Sequence, residues 1–289
     1  MVGQRAGGVP LSGAADALAL RLANLLVGNP EHAAGLEFTL LGPELRFPQP
    51  ALVALAGASF GGVPRWRPFE VAAGAVLKLG AAEAGCRGYL AIAGGIDVAP
   101  VLGSRSTYVR AGLGGWEGRA LRDSDRLPVV GTRRVLRPHW RVDERILPKY
   151  AREPMVRVIV GAQAGEFDAS WTERSYRVSA HSDRMGVRLG GAAIARTRPT
   201  DLISSPMAPG AIQVPPDGQP IVLLADAQTV GGYPVIAHVA TVDLPLMAQL
   251  RPGDNVRFRV VSLAEAREVF GARERALALL HEGLAQKLA

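Results

Sequence analysis

The residues of this chain that could do chemistry gather in four glycine-rich segments, and none of the four holds an obvious strong nucleophile. The most informative is GAIQVPPDGQPIVLLADAQTVGGYP, residues 210–234, where Asp226, Gln228, Thr229, Gly231, Gly232 and Tyr233 follow an apolar run. An acid, an amide, a hydroxyl and paired glycines suit a small polar ligand, because glycine lets backbone N–H groups come close to it. A hairpin followed by an ordinary Gly-Pro loop would use the same residues. The second segment runs from Gly94-Gly95-Ile96-Asp97 to Gly103-Ser104-Arg105-Ser106-Thr107-Tyr108. The third is GLGGWEGR, residues 112–119, and the fourth is His181-Ser182-Asp183-Arg184-Met185-Gly186.

Together these side chains match amide-like and carboxylate ligands. Arg105 could hold a carboxylate through two N–H groups. Asp97, Asp183 or Asp226 could accept from an N–H, while Gln213 and Gln228 can donate to a carbonyl and accept from its neighbouring amide. Asp183-Arg184 would serve nearly as well as an ion pair or helix cap, and Trp116 and Tyr108 as packing residues. Other chemistries lack their parts. GLGGWEG is only loosely a dinucleotide loop, and GxxxxGK[ST] is absent. His32, His139, His181, His238 and His281 show no metal-ligand spacing, so no metal is expected. Neither GxSxG nor a Ser-His-Asp order stands out.

Composition narrows the classes further. The net charge is +7, carried almost wholly by arginine, since lysine occurs only at Lys78, Lys149 and Lys287. The arginines are scattered, the densest group being Arg133, Arg134, Arg137, Arg141 and Arg145, and no nucleic-acid motif accompanies them. Nucleic acid is therefore not an expected partner. Cys86 is the single cysteine, which excludes an intrachain disulfide and fits a small buried residue. No secretory leader and no run of 18 apolar residues stands out, so a cytoplasmic chain without a membrane partner is expected.

The elements that must position the four segments are mostly strands. Val156, Val158 and Val160 alternate along one run and Val256, Phe258 and Val260 along another, each the pattern of a strand with one buried face. Tyr89 to Ile92 is apolar throughout and suits a fully buried strand. Ala211–Val214 and Ile221–Ala225 flank Pro215-Pro216-Asp217-Gly218 and predict a hairpin. Asp16 to Val27 predicts a helix with Leu18, Leu22, Leu25 and Leu26 on one face, ending at Gly28-Asn29-Pro30. After Ser262-Leu263-Ala264-Glu265, which has the form of a capping box, Leu277, Leu280, Leu284 and Leu288 predict a docked helix pair.

A faint internal repeat is consistent with two lobes. SGAAD (12–16) followed by ALALRLAN echoes SAHSD (179–183) followed by RMGVRLGG, and EVAAGAVLKLG (70–80) echoes QLRPGDNVRFR (249–259). The expected division is an N-terminal lobe over 1–137, a C-terminal lobe over 138–262 and a helical tail over 263–289.

Read in order, SGAADALALRLANLLVGNPEHAAGLEFTLLGP, AIAGGIDVAPVLGSRSTYVRAGLGGWEGRAL, SDRMGVRLGG, the 210–234 segment and DLPLMAQLRPGDNVRF resemble the allophanate hydrolase subunit 2 family. That family is also described as the C subunit of bacterial 5-oxoprolinase and as the second half of the urea carboxylase carboxyltransferase domain. The resemblance runs from about Gly8 to Phe258. It implies a mainly β fold of two cyclophilin-like β-barrel lobes with a few helices. It implies a hetero-oligomer with a subunit 1 homologue, and a third subunit for ATP-dependent opening of 5-oxoproline to glutamate. ATP would belong to the complex, since no nucleotide site is legible in this chain. On this reading Arg105 engages the substrate carboxylate, and Asp226 and Gln228 read the lactam N–H and C=O. Thr229 and the Gly231-Gly232 backbone stabilise developing negative charge, with Asp97, Tyr108, Asp183, Arg184, Gln213 and Tyr233 as further substrate contacts.

The chain departs from the family pattern in three places. A TVQDxGRxG-like segment normally precedes the Gly-Val-Pro turn, whereas residues 2–8 read VGQRAGG here. Ser205 stands where a Glu is usual, and Val235 where a Lys is common. Two other readings therefore stay open. One is the carboxyltransferase half of a biotin-dependent urea-type carboxylase; the other is a non-catalytic partner of a kinase-inhibitor-like subunit 1 homologue.

Overall fold

The computed structural model describes residues 1, 3–131 and 139–288. Arg133, Arg134, Arg137, the 137/138 lobe boundary and the side chain of Leu288 lie outside the described residues. The chain forms two compact units. One joins Met1–Ala15 to Lys149–Arg273; the other joins Asp16–Pro148 to Glu274–Ala289. The first fifteen residues, grouped by sequence with the N-terminal lobe, thus cluster with the barrel described next.

The barrel unit contains β6 (Met155–Val160), β7 (Ser175–Val178), β8 (Gly186–Gly190), β9 (Ser205–Pro206), β10 (Ala211–Gln213) and β11 (Ile221–Leu223), which follow five strands of the other unit. β12 (Val230–Gly231), β13 (Val235–Val239) and β14 (Asn255–Val260) complete its strands. Seven of them close into a barrel in the order β10-β11-β8-β7-β14-β6-β13. The predicted alternation holds: Val156, Val158, Val256 and Phe258 point into the core, while Val160 and Val260 at the strand ends are exposed. Phe258 packs between Trp171 and Tyr176. The hairpin expected around Pro215–Gly218 is β10–β11, closed by Gly218 N–H donating to Pro215 O at 2.9 Å with Gly218 in the left-handed region. β9 and β12 form a separate two-stranded strap.

The other unit begins with α1 (Ala17–Leu26). Asp16 caps it by accepting from Ala19 N–H, and Leu18, Leu22, Leu25 and Leu26 are buried as predicted. Its five strands are β1 (Leu36–Thr39), β2 (Leu41–Arg46), β3 (Ala51–Phe60), β4 (Pro68–Val71) and β5 (Val76–Ile92). The 17-residue β5 is the spine, pairing β2 through its first part and β1 and β3 through its second. Tyr89–Ile92 lies fully inside, as its apolar run required, and Cys86 is buried. The fold is mainly β, as expected.

Two expectations need correction. The tail is one helix, α3 (Leu263–Leu288), and not a pair. Ser262 Oγ caps it by accepting from Glu265 N–H, and its path runs through Gly271 and Gly283, which weaken a helix by roughly 1 kcal/mol each without breaking it. Leu277 and Leu284 are buried in the sheet unit, where Arg21 of α1 forks onto Glu274 at 2.9 and 2.7 Å. The first repeat echo also fails as structure. Asp16 starts a helix, whereas Asp183 Oδ1 accepts from Met185 and Gly186 N–H in a turn that feeds a strand. The second echo is real: Gly74 and Gly253 both sit at positive φ in turns that lead into β5 and β14.

Candidate functional site

In the barrel unit the predicted residues fall into two small clusters at the ends of β10 and β11. Beyond β11 the chain stays beside residues 184 and 185, with Leu224 N–H bonded to Met185 O and Asp226 N–H to Arg184 O. That register brings the two side chains together. Arg184 Nε donates to Asp226 Oδ2 at 2.8 Å and one Nη to Oδ1 at 3.2 Å. The same Nη also donates to Gly13 O, and Ser12 N–H bonds Ala225 O at 2.9 Å, so the pair anchors the N-terminal segment. Asp226 is only 5% exposed and carries a bidentate partner. It is therefore not an open acceptor for a ligand N–H, which corrects its expected role. Asp183 is exposed and its carboxylate is occupied by its own turn, which leads into a strand and so is not a helix cap, while Arg184 forms its ion pair with Asp226.

The second cluster centres on Gln213. A bulge between Ile212 and Gln213, where β10 pairs β13, re-aims the strand end, and the Gln213 side chain is buried at 1% exposure. Gln228 Nε2 donates to Gln213 Oε1 at 3.0 Å. The Gln213 amide N–H groups meet only long contacts, Met207 Sδ at 3.4 Å and Tyr233 O at 3.5 Å. The β9–β12 strap closes over this amide. Met207 N–H bonds Thr229 O at 2.8 Å, and a side chain at Gly231 would come within 2.8 Å of Gln213 Nε2 and 3.0 Å of Met207 Cγ. The half-buried Thr229 hydroxyl has no protein partner among the described residues, Gly232 is exposed and Tyr233 is 49% exposed.

One contributor went unread in the sequence. Gln163 Oε1 accepts from Val235 N–H at 3.1 Å and fixes the start of β13; no motif marks it. Val235 itself, where the family pattern has Lys, is buried with Met207, Ala211, Leu223 and Ala227, so the aliphatic side chain is built into the packing. Ser205 is exposed on the strap.

In the sheet unit the structure gathers the second and third segments. Gly94 and Gly95 are left-handed, and a Cβ on Gly94 would lie 1.8 Å from Val130 O, so only glycine lets these chains touch. Asp97 N–H bonds Pro128 O at 2.9 Å, and its exposed carboxylate has no protein partner among the described residues. Arg105 Nε donates to Val98 O at 3.0 Å. That bond orients the guanidinium, whose outer N–H groups find no protein acceptor among the described residues. Tyr108 exchanges two backbone bonds with Leu113, and a Cβ on Gly115 would meet Thr107 Oγ1, so this loop is folded tightly on itself. Trp116 packs on the sheet core, in line with the packing alternative. A clamp that no sequence motif announces holds the loop: Arg119 forks onto Asp125 at 2.8 and 2.9 Å and also reaches Glu117. Arg119 and the Arg122 N–H hold the Asp125 carboxyl well below the usual carboxylate range.

Among the described residues, no three His, Cys, Asp or Glu side chains converge as metal ligands, and no helix is long and apolar enough to cross a membrane. The barrel unit offers amide hydrogen-bonding groups, and the sheet unit, taken by itself, offers an oriented guanidinium suited to a carboxylate.

Comparison with known proteins places the chain in a family. A family model described as "Carboxyltransferase domain, subdomain A and B" matches residues 7–260. The chain is 41% identical over 277 residues to the 5-oxoprolinase C subunit of Escherichia coli strain K12, covering 91% of this chain and 87% of that protein. The C subunit of the Haemophilus influenzae 5-oxoprolinase is 37% identical over 278 residues, with coverage of 91% and 87%. Among solved structures, the K. lactis urea amidolyase superposes with a TM-score of 0.89 at 29% identity, over 96% of this chain but 19% of that one. This chain thus spans about a fifth of that larger protein. The match across residues 7–260, together with these near full-length relatives, shows that the chain belongs to the family of carboxyltransferase domains with subdomains A and B.

Proposed function

We propose that the chain is the C subunit of an ATP-dependent 5-oxoprolinase that opens 5-oxoproline to glutamate, acting in the cytoplasm with a subunit 1 homologue and a third, lactam-opening subunit. One observation carries this reading: the similarity spans 87% of the E. coli 5-oxoprolinase C subunit but only a fifth of the urea amidolyase. Opening the lactam adds a water oxygen to the ring carbonyl carbon, breaks the C–N bond and places a proton on the ring nitrogen. ATP, bound at the level of the complex, supplies the driving force.

In this reading each unit is considered by itself. In the barrel unit Gln228 faces the lactam amide, while the Thr229 hydroxyl and the Gly231-Gly232 backbone stabilise developing negative charge. Asp226 acts through Arg184 as a positioning residue. In the sheet unit Arg105, already oriented by Val98 O, offers its outer N–H groups to a carboxylate.

A second reading, a carboxyltransferase half that moves CO2 from biotin to a urea-like acceptor, is favoured by the family description and by the urea amidolyase superposition. Biotin's ureido ring shows the same donor–acceptor pattern as a lactam. The test is ATP-dependent 5-oxoproline cleavage by the reconstituted complex, comparing wild type with Arg105→Ala and Gln228→Ala. Each variant should lose at least about tenfold in kcat/KM, the worth of one charged or buried hydrogen bond. Unchanged rates remove that residue from the mechanism. A stable complex with subunit 1 that turns over neither substrate would favour the non-catalytic alternative.

A further inference from the structure

We infer that Gln213 is a positioning residue that fixes which edge of the Gln228 amide is presented outward, and that the position so made reads an N–H donor. The ligand's identity as a lactam or cyclic urea rests on the function proposed above; the orientation of the amides does not. A glutamine amide can sit in two orientations that differ by half a turn, exchanging its donor and acceptor. Two neighbours settle the orientation of Gln213. Met207 Sδ at 3.4 Å and the Tyr233 carbonyl oxygen at 3.5 Å can only accept, so the Gln213 NH2 faces them. Its Oε1 is thereby turned toward Gln228, which must answer with its own NH2, at 3.0 Å.

The consequence lies at Gln228. With its NH2 committed to Gln213, its Oε1 is the free edge and has no protein donor among the described residues. Gln213 is 1% exposed and Gly231 lies directly over its Nε2, so the inner amide has little room to turn and hold the outer one the other way. An outward carbonyl oxygen accepts from an N–H and repels a ring oxygen or a carbonyl. Gln228 therefore takes the lactam N–H. The expectation that Gln228 reads the lactam C=O is reversed, and the N–H no longer needs Asp226, whose carboxylate belongs to Arg184.

The test uses the full chain labelled at glutamine side-chain nitrogen and three ring probes: 2-pyrrolidinone, 2-imidazolidinone and γ-butyrolactone. The first and third differ only by N–H against O. The two N–H probes should shift the Gln228 side-chain amide signal, and the lactone should bind about tenfold more weakly, the worth of one hydrogen bond replaced by a repulsive contact. Gln213→Leu should bring that preference to within about twofold. Gln213→Glu should retain most of it, because its carboxyl group still accepts from Gln228. Should Gln213→Leu fail to fold, Gly231→Ala makes the same test, since its methyl displaces Gln213 Nε2. Equal binding of lactam and lactone by wild type, a preference unchanged by the variants, or no shift at Gln228 with any probe overturns the inference. Failure of the wild-type complex to cleave 5-oxoproline, with the probe preference intact, would instead overturn only the 5-oxoprolinase reading.

Discussion

Replacing Asp226 or Arg184 with Ala should loosen the N-terminal segment before it affects any chemistry, and the two losses should be unequal. Arg184→Ala leaves a carboxylate that is 5% exposed without its guanidinium, the situation in which breaking a buried pair costs about 3–5 kcal/mol. Asp226→Ala leaves a guanidinium whose side chain is 29% exposed and still bonded to Gly13 O, so water and that carbonyl offset part of the loss. Exposed pairs are worth at most about 1 kcal/mol, so this half-covered one should fall between the two regimes. We expect roughly 2 kcal/mol for Asp226→Ala, about 3 kcal/mol for Arg184→Ala, and a double variant no worse than Arg184→Ala alone. The readouts are calorimetric unfolding and hydrogen exchange at the Ser12 amide. That amide is protected by Ala225 O only while the segment stays docked. Additive losses in the double variant, or undiminished protection at Ser12 in Arg184→Ala, would refute the coupling.

Three further outcomes can be checked on stability alone. Gly74 and Gly94 are both left-handed, but a Cβ at Gly74 meets nothing within 4 Å while one at Gly94 lies 1.8 Å from Val130 O. Gly74→Ala should thus cost about 1–2 kcal/mol and Gly94→Ala at least twice that, read by thermal unfolding; equal losses would discount the backbone clash. Ser262→Ala removes the acceptor for Glu265 N–H and should cost about 1 kcal/mol at the start of α3, measured by urea titration. Burial raises the Tyr89 phenol well above its ordinary value and pushes Tyr176 up to about 12. The folded chain therefore keeps protons that the unfolded chain releases near about pH 10. Stability should be full below that pH and fall as pH rises toward 12, by at most about 1.4 kcal/mol per unit for each tyrosine. Tyr176→Phe should flatten the barrel unit's share of that slope, and an unchanged alkaline profile would count against it.

Alternation made β6 and β14 legible, because one buried face imposes period two on a strand regardless of its neighbours. The fully apolar Tyr89–Ile92 and the turn residues Pro215–Gly218 were legible for equally local reasons. Pairings across distance were not. Nothing near Asp226 in the chain marks Arg184, 42 residues earlier, as its partner; that follows only from the register of residues 224–226 beside 184–185. The same holds for Gln163 beneath Val235. Short strands such as β9 and β12, two residues each, carry no periodicity to read. The capping box at Ser262 and the leucine spacing mark helix but not how many helices; that α3 is single goes with the burial of Leu277 and Leu284, which helps carry it past Gly271 and Gly283. For the candidate site, residue types supplied only a set of candidates. Which acid was already spoken for, and which amide edge was free, needed geometry.

Among the described residues, the barrel's one parallel seam joins Met155 of β6 to Arg257 of β14. A ribosome therefore delivers the first stave of this vessel about a hundred residues before the last. Through that interval Val156 and Val158 have no complete interior to enter, and the flank of β6 that β14 will seal stays available to any stray strand. A chain stopped short of residue 255 should accordingly be captured by holdase chaperones or precipitate, whatever the state of its sheet half.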